Sequence, residues 1–270
     1  MATAPLNRST EVEYGPVLRE PYIDGATVAS IQTVFNRLRL SHQNWESRQL
    51  HGRLDSRTVW RNDARGQVDI FKERRLPSPT KVDVHILVDS SGSMHGERIC
   101  RAQDMAATLV EAFKRIPTVS LHVWQHNAMG AVTNVYKVYF PGSGPKGLTE
   151  MLMHIGGGNA DGFALDAIGQ RGLSAKRPDT KTLVIVVSDG LPSVAGHGAT
   201  GDILDHSTLV TQELNRKGVQ VMAVAIAGDK RAHERMYGKD NTVAFTGDWA
   251  KLARDFGGVF AKVIKAGGQR

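Results

Sequence analysis

The sequence predicts an α/β fold, in which a doubly wound, mostly parallel central sheet carries helices on both faces. Three observations predict it. From about residue 80, short apolar runs rich in β-branched residues alternate with segments whose apolar residues recur at helical spacing. One run, 182–187, is apolar without alternation, which is typical of a central parallel strand covered on both sides. The 270 residues suffice for one medium-sized domain with an N-terminal extension.

The N-terminal extension is predicted to span residues 1–80 and to be partly helical. Apolar residues recur at helical spacing over 28–38, directly behind Thr27, which is a suitable N-cap residue. The remainder of the extension is polar, arginine-rich and predicted to be irregular. Two prolines shortly before residue 81 mark a boundary, so the main domain is predicted to span residues 81–266.

The main domain is predicted to alternate strands and helices. The predicted strands cover residues 82–88, 119–125, 135–140, 182–187 and 219–227. The predicted helices cover 99–116, 204–214 and 249–263, and a further helix opens after a glycine-rich loop at 156–162. The strand at 135–140 has the mixed composition of a sheet edge, so the sheet is expected to be mixed but mostly parallel.

Composition and charge exclude several classes of protein. Hydrophobic residues make up 41% of the chain and charged residues 23%, as in an ordinary globular protein, which excludes disorder of the whole chain. No apolar run approaches the roughly 20 residues that span a bilayer. The first residues lack the order of a secretory signal, so we expect a cytoplasmic protein without a membrane anchor. The net charge of +7 is spread along the chain, and we do not expect nucleic acid as a partner.

The single cysteine, Cys100, excludes an intramolecular disulfide framework and cysteine-rich zinc modules. It falls within an amphipathic helical pattern. Because a free cysteine usually behaves as a small hydrophobe, we predict that Cys100 is a core residue.

Polar residues follow the predicted buried strands. Asp89, Ser91 and Ser93 come directly after the first strand of the main domain, Asn159 lies in the glycine-rich loop, and Asp189 follows a later buried strand. In a doubly wound sheet the ligand site lies beyond the carboxyl ends of the strands. A carboxylate and two hydroxyls spaced two residues apart can direct oxygens at one centre, and hard oxygens suit Mg²⁺ or Mn²⁺. We also expect Asp89 to lie on a solvent-facing turn, so that its removal would leave the fold intact.

These motifs resemble the metal-ion-dependent adhesion site of the von Willebrand factor A family. The resemblance rests on Asp-x-Ser-x-Ser after the first strand, a polar residue in the second loop, and Ser-Asp-Gly after a later strand. It implies that Asp89, Ser91, Ser93, Asn159 and Asp189 ligate the metal. The family usually has Thr in the second loop, and the segment NADGFAL places Asn159 there. Asparagine keeps an oxygen ligand, so metal binding is still expected.

Four segments in order are similar to the C-terminal domain of the T subunit of aerobic cobaltochelatases, over roughly residues 48–265. They are GRLDSRTVWRNDARGQVDIFKE, VDSSGSM, NADGFAL and VSDGLPSV. The long acidic region that precedes this domain in the chelatase subunit has no counterpart in this sequence, so the resemblance implies a stand-alone relative.

The resemblance also implies a function. Such domains work with AAA+ ATPases of the chelatase or MoxR type in complexes that remodel or metallate a client. We therefore expect a non-catalytic, Mg²⁺-dependent adaptor, in which a carboxylate of a partner protein fills an open coordination position. The alternative is a T-like subunit of a cobalt or magnesium chelatase, which acts on a tetrapyrrole in cobalamin biosynthesis and needs its ATPase.

Catalytic interpretations find less support. A phosphatase of the haloacid dehalogenase type needs a second Asp where this chain has Ser91, and a serine hydrolase needs Gly-x-Ser-x-Gly. Ser91 or Ser93 as a nucleophile with His95 as its base remains a minor alternative. We predict no catalytic residue.

Simpler interpretations of the same motifs also stay open. The turn after the first strand would serve as a helix cap without any metal, Asp189 as a turn residue, and Asn159 as part of a connecting loop. The letters Gly-x-Gly-x-x-Gly occur at 142–147, but Pro145 removes a backbone N–H there, and we predict a connecting loop. His122 and His126 share a strand face and could ligate a metal, although no third ligand is evident.

Overall fold

The computed structural model describes residues 19–41, 44–56, 59, 69–75, 81–151, 155–174, 180–190, 192–193, 200–226 and 230–265. The strands are β1 (Asn44–Gln49), β2 (Arg53–Leu54), β3 (Phe71–Arg75), β4 (Lys81–Asp89), β5 (Val119–Met129), β6 (Val132–Tyr139), β7 (Thr180–Ser188), β8 (Val219–Ile226) and β9 (Thr242–Phe245). The helices are α1 (Gly25–Ser41), α2 (Glu97–Phe113), α3 (Lys146–Thr149), α4 (Asp161–Ser174), α5 (Thr200–Arg216), α6 (Lys230–Tyr237) and α7 (Trp249–Lys265).

The central sheet has six strands in the order β6-β5-β4-β7-β8-β9. Strand β6 is antiparallel to β5, and every other neighbouring pair is parallel. Going outward from β4, the chain continues to β5 on one side and to β7 on the other. The strand order therefore reverses at β4, which is where a ligand site is expected in this architecture. The predicted doubly wound, mostly parallel sheet is confirmed, including the edge position of β6 and the central position of β7.

Two apolar layers hold helices against the two faces of this sheet. Strand β7 shows why its sequence lacks alternation: Leu183 and Ile185 belong to one buried cluster, and Val184 and Val186 belong to the other. The first cluster joins the sheet to α1, α2 and α7, and the second joins it to α4, α5 and α6. A strand buried on both faces must be apolar at consecutive positions.

The boundaries of several elements differ from the prediction. Strand β5 continues to Met129, four residues beyond the predicted end, because it forms a tight hairpin with β6 that turns at Gly130 with φ +58°. Strand β9 and helix α6 were not predicted. The four residues of β9 are too few for a periodic signal, and α6 has only eight residues.

The extension contains more regular structure than its sequence predicts. The interpretation of its remainder as irregular is wrong, because β1, β3 and β2 form a three-stranded antiparallel sheet. Helix α1 begins two residues before Thr27. Its N-cap is Asp24, whose Oδ2 accepts the Thr27 backbone N–H at 2.7 Å, while the Thr27 hydroxyl donates to the Trp249 carbonyl at 3.2 Å. The predicted N-cap at Thr27 is therefore also wrong.

Helix α1 packs on the main domain. Val28, Ile31 and Phe35 are buried in the same cluster as α2 and α7, and the Phe35 ring meets Phe113 edge-on at 5.4 Å between centroids. The segment before α1 is bonded to α2 through Asp104, which accepts from the Arg19 guanidinium at 2.9 Å and from the Tyr22 backbone at 2.7 Å. This part of the extension is thus continuous with the core of the main domain.

Cys100 is half-buried and packs against the first apolar cluster, in agreement with its predicted core position. Among the described residues, no helix has the length and apolar character needed to cross a bilayer.

Candidate metal centre

Three loops meet beyond the carboxyl ends of β4, β5 and β7, and backbone hydrogen bonds hold them together. Loop 1 is residues 89–96, loop 2 is 155–160, and loop 3 includes 189–190 and 192–193 of the described chain. The bonds that join them to each other and to β5, each 2.8–3.0 Å long, link Ser90 to His126, Gly156 to Ser90, Gly92 to Gly157, Gly158 to Ala128, and Asn159 to Ser193. The loop side chains are therefore positioned by the backbone before any ligand binds.

Loop 2 depends on a glycine at its closest approach to β5. Gly157 has φ +76°, and a Cβ at this position would lie 2.2 Å from the carbonyl oxygen of Ala128. A side chain is excluded both by the backbone conformation and by this contact. The packing of loop 2 against β5 therefore requires glycine at position 157.

Asp89 is the deepest of the predicted ligands. It ends β4 and is fully buried, so the expectation of a solvent-facing turn is wrong. Its Oδ1 accepts the Ser91 backbone N–H at 2.7 Å, and its Oδ2 accepts from the Asn159 amide at 2.8 Å and from the Ser188 hydroxyl at 2.9 Å. Burial, and then the charge of Asp161, raise the pKa of Asp89 to about 6.

Three of the other four predicted ligands, Ser91, Ser93 and Asp189, form a chain toward the surface. The Ser91 and Ser93 hydroxyl oxygens are 3.1 Å apart, and Ser93 donates to Oδ1 of Asp189 at 2.9 Å. Arg98 covers the outer side of this chain: its Nη1 lies 2.5 Å from Oδ2 of Asp189 and 2.9 Å from the Ser93 carbonyl. Arg98 was not predicted from the sequence, although it lies five residues after Ser93.

Asn159 lies beside Asp89, as the resemblance implies, but presents its amide nitrogen. The Nδ2 group donates to Asp89, to Asp161 Oδ2 at 3.2 Å and to the Ser188 hydroxyl at 3.0 Å. The amide oxygen accepts the backbone N–H of Asp161 at 2.9 Å and so caps the start of α4. An oxygen ligand from Asn159 therefore requires the amide to turn over and to give up this cap.

A buried polar layer under the centre was missed by the sequence analysis. Asp161 and His126 are both fully buried, with 3.1 Å between Oδ1 of Asp161 and Nε2 of His126. Burial alone would lower the pKa of His126, yet the close contact with Asp161 and its charge raise the pKa above its ordinary value. Burial, and the charges of Asp161 and Asp89, raise the pKa of Tyr237 well above its usual range. The Asn-x-Asp spacing of loop 2 was the available signal for Asp161.

The donor set fits a hard divalent cation. Oxygens that bind Mg²⁺ at right angles, about 2.1 Å from the ion, lie about 3 Å from one another. The chain Ser91, Ser93, Asp189 has this spacing, with oxygens 3.1 and 2.9 Å apart, and Asp89 adds a second carboxylate from the same turn. Two carboxylates with neutral hydroxyls suit Mg²⁺ or Mn²⁺ better than a soft metal.

The other sequence alternatives lead away from this centre. His122 stacks on His85 with ring centroids 4.9 Å apart, whereas His126 pairs with Asp161, so the two histidines have separate partners. Within the described ranges, no group of three or more His, Cys, Asp or Glu side chains is placed to hold a metal. The glycine pattern at 142–147 covers the predicted connecting loop after β6 and the first two residues of α3, where a Cβ on Gly147 would collide with the Val138 carbonyl.

The fold and the loop-borne centre define a Rossmann-like α/β domain with its site where the strand order reverses. The sequence model of the von Willebrand factor type A domain matches residues 83–255, which is more than half of the chain. The chain belongs to this family. No curated protein matches the sequence significantly.

Solved structures with a similar fold include bacterial pilus proteins. The pilus adhesin SpaC from Lactobacillus rhamnosus GG, in its open conformation, shares 15% identity with a TM-score of 0.53, over 69% of this chain and 30% of SpaC. Three N-terminal domains of the type V pili tip protein Mfa5 from Porphyromonas gingivalis share 11% identity with a TM-score of 0.51, over 66% of this chain and 49% of that one. The conserved hypothetical protein BatB from Bacteroides thetaiotaomicron shares 15% identity with a TM-score of 0.48, over 68% of this chain and 99% of BatB. At these identities the similarity shows the fold alone.

Proposed function

We propose that this chain is a non-catalytic protein-interaction module that binds Mg²⁺ or Mn²⁺ and uses the cation to hold a carboxylate of a partner protein. The observation that carries the proposal is the run of loop oxygens from Ser91 through Ser93 to Asp189, with separations of 2.9–3.1 Å. Such spacing is that of neighbouring ligands around a small divalent cation.

Each residue of the centre has a distinct part in this proposal. Asp89 would hold the cation with its buried carboxylate, whose position is maintained by the Ser188 hydroxyl and the Ser91 backbone N–H. Ser91 and Ser93 supply neutral oxygens, and Asp189 supplies the outer carboxylate. When bound, the cation supplies positive charge and an open coordination position for a carboxylate.

Asn159 has two possible roles in this centre, and they make different predictions. As a ligand it would offer its amide oxygen after turning over, which is the role implied by the family resemblance. As a positioning residue it keeps the Asp89 carboxylate in place through its amide nitrogen. We propose the ligand role, and the substitutions described in the Discussion separate the two.

The hydroxyl contacts favour binding over catalysis. The Ser93 hydroxyl donates to Asp189, and the Ser91 oxygen lies against the Ser93 oxygen. A serine nucleophile needs a base that removes its proton, and the Asp189 carboxylate is a poor base because its other oxygen is paired with the Arg98 guanidinium.

We propose an AAA+ ATPase of the chelatase or MoxR type as the partner, acting in the cytoplasm on a protein client. The support is the similarity of the four ordered sequence segments to the T subunit of aerobic cobaltochelatases. The same similarity supports a second candidate, a T-like subunit of a cobalt or magnesium chelatase that acts on a tetrapyrrole. Tetrapyrrole binding by the purified chain would favour the second candidate.

The test is capture of a candidate AAA+ ATPase by the immobilised full chain. We expect capture in Mg²⁺, release by EDTA and loss of capture with Asp189→Asn. The matched control is Asp205→Asn, because Asp205 is an exposed aspartate on α5, with a side chain 63% exposed, that pairs with Arg235. Capture that persists in EDTA, or metal insertion by the isolated chain, would contradict the adaptor function.

A further inference from the structure

A cationic side chain already occupies part of the proposed centre. Arg98 is the second residue of α2, and its Nη1 bridges Oδ2 of Asp189 in loop 3 and the Ser93 carbonyl in loop 1, at 2.5 and 2.9 Å. The Arg98 side chain is 44% exposed, whereas that of Asp189 is 4% exposed. The guanidinium therefore covers Asp189 from the solvent side.

This contact engages the negative charge of Asp189, which a divalent cation would need for binding. Oδ1 of Asp189 accepts from the Ser93 hydroxyl, and Oδ2 faces the guanidinium, so both oxygens are engaged. A guanidinium in hydrogen-bond contact neutralises much of the carboxylate charge and repels a second cation. Divalent metal and Arg98 are consequently alternative partners for Asp189.

The other carboxylate of the centre has a different kind of partner. Asp89 accepts from the Ser91 backbone, the Asn159 amide and the Ser188 hydroxyl, all of which are neutral donors. The competition between the Arg98 guanidinium and a divalent cation therefore takes place at the outer carboxylate, Asp189. That carboxylate lies on the side from which a partner would approach.

We propose that Arg98 is a built-in competitor for the divalent cation. Without metal it closes the centre by pairing with Asp189. When metal binds, the half-exposed side chain moves off Asp189 toward solvent and becomes available to the acidic group of the partner. The inference rests on the proposed metal-binding function and adds its regulation: Arg98 sets the metal concentration at which the centre opens.

The discriminating variant is Arg98→Met, which keeps most of the side-chain length and removes the charge. Competition predicts tighter binding of Mg²⁺, by about three- to tenfold, because the half-exposed ion pair between Arg98 and Asp189 no longer has to be broken. A merely structural role of Arg98 predicts the opposite sign, since loss of the bridge between loops 1 and 3 would loosen the centre. Arg98→Lys retains a charge and is expected to lie between the wild type and Arg98→Met.

The measurement is calorimetric titration of the full chain with MgCl₂ and MnCl₂, beside thermal unfolding with and without metal. Arg98→Met should melt at a lower temperature than the wild type in EDTA. Mg²⁺ should raise the melting temperature of Arg98→Met by more than it raises that of the wild type. The matched control is Arg101→Met, because Arg101 lies one turn later on α2 and pairs with Glu97 at 3.0 Å, away from the centre. Its Mg²⁺ affinity should equal that of the wild type.

Two negative results are distinguishable. Mg²⁺ affinity in Arg98→Met that equals or falls below the wild-type value would overturn the competition and leave the metal site standing. Absence of Mg²⁺ binding in the wild type and in Arg98→Met alike would contradict the metal site itself, and the role of Arg98 with it.

Discussion

The two carboxylates of the centre differ in their surroundings, and substitutions at them should differ in consequence. Asp89 is fully buried and accepts three hydrogen bonds, so it contributes to the folded structure as well as to any ligand. Asp189 lies at the rim, with a partner that is half in solvent. Asp89 therefore lies at the bottom of the centre, and Asp189 lies on the side that the half-exposed Arg98 covers.

We predict that Asp89→Ala destabilises the chain while Asp189→Asn does so much less. Removal of Asp89 takes the acceptor from the buried Ser188 hydroxyl and the Ser91 backbone N–H, at a cost of about 1–3 kcal/mol for each group, and leaves the Asn159 amide with Asp161 and Ser188 only. Both variants should lose Mg²⁺ binding. Urea unfolding in EDTA and calorimetric titration with MgCl₂ measure the two effects. A fully stable Asp89→Ala protein would show that these donors find other partners.

A second prediction concerns Asn159. If its amide oxygen ligates the metal, Asn159→Ala should weaken Mg²⁺ binding at least tenfold, and Asn159→Thr should restore most of it by supplying a neutral oxygen. If Asn159 acts through its amide nitrogen, Thr should restore little, because a single hydroxyl cannot donate to Asp89, Asp161 and Ser188 together. Calorimetric titration of the two variants decides between the roles.

The third prediction is a pH dependence with a definite sign. Because the pKa of buried Asp89 is raised to about 6, against about 3.9 in an unfolded chain, the folded protein holds an extra proton between pH 4 and 6. Stability without metal should therefore fall as the pH rises through this window. His126, whose pKa is raised mainly by Asp161, continues the decline above pH 6.5.

Metal binding should follow the opposite course, because it needs the ionised form of Asp89. We expect Mg²⁺ affinity to fall about tenfold for each pH unit below 6. Titrations at pH 5, 6 and 7.5, beside melting curves in EDTA, measure both trends. An Mg²⁺ affinity that stays constant from pH 5 to 7.5 would contradict a pKa of about 6 for Asp89.

At the scale of elements, the centre is built from loops whose positions are set by main-chain contacts. Loop 2 is bonded to loop 1, to loop 3 and to β5, so its shape controls the relative positions of the proposed ligands on the other two loops. A change in the backbone of loop 2 should thus affect metal binding even though it removes no ligand.

We predict that Gly157→Ala disrupts the centre and that Gly92→Ala does not. At Gly157 a Cβ would lie 2.2 Å from the Ala128 carbonyl oxygen, and φ is +76°. At Gly92 the nearest atom would be 3.6 Å away, an ordinary contact, and φ lies outside the left-handed region. Gly157→Ala should lower the stability by about 1–3 kcal/mol and weaken Mg²⁺ binding. Equal behaviour of the two variants in urea unfolding and titration would refute this role.

At the scale of the whole molecule, the sequence predicts the sheet better than its surroundings. Strands such as β7 are recognisable because both faces are buried, which forces consecutive apolar residues. The three-stranded sheet of the extension was missed because polar, arginine-rich strands carry no such signal. Strand β9 was missed because four residues cannot show a period.

The same difference holds for the centre: the grouping of residues close in sequence could be predicted, and contacts between residues far apart could not. The grouping of Asp89, Ser91 and Ser93 on one turn could be predicted because the three residues are close in sequence and follow a strand. The contacts of Arg98 with Asp189 and of Asp161 with His126 could not be predicted, because they join residues dozens of positions apart. Spacing in the sequence predicts which side chains lie on one turn. The fold determines which charged side chains from other segments contact them.

Because α1 packs on the main domain, the part of the chain that must fold together is larger than the part that matches the family model. The family match begins at residue 83, but Val28, Ile31 and Phe35 fill the surface between α2 and α7. A chain started at residue 81 would expose that surface to water, at roughly 1.5–3 kcal/mol for each apolar side chain removed. We expect such a truncated chain to aggregate or to melt without cooperativity; a cooperative thermal transition at the melting temperature of the full chain would contradict this expectation. The smallest portion of this protein that can be studied alone is therefore larger than its family domain.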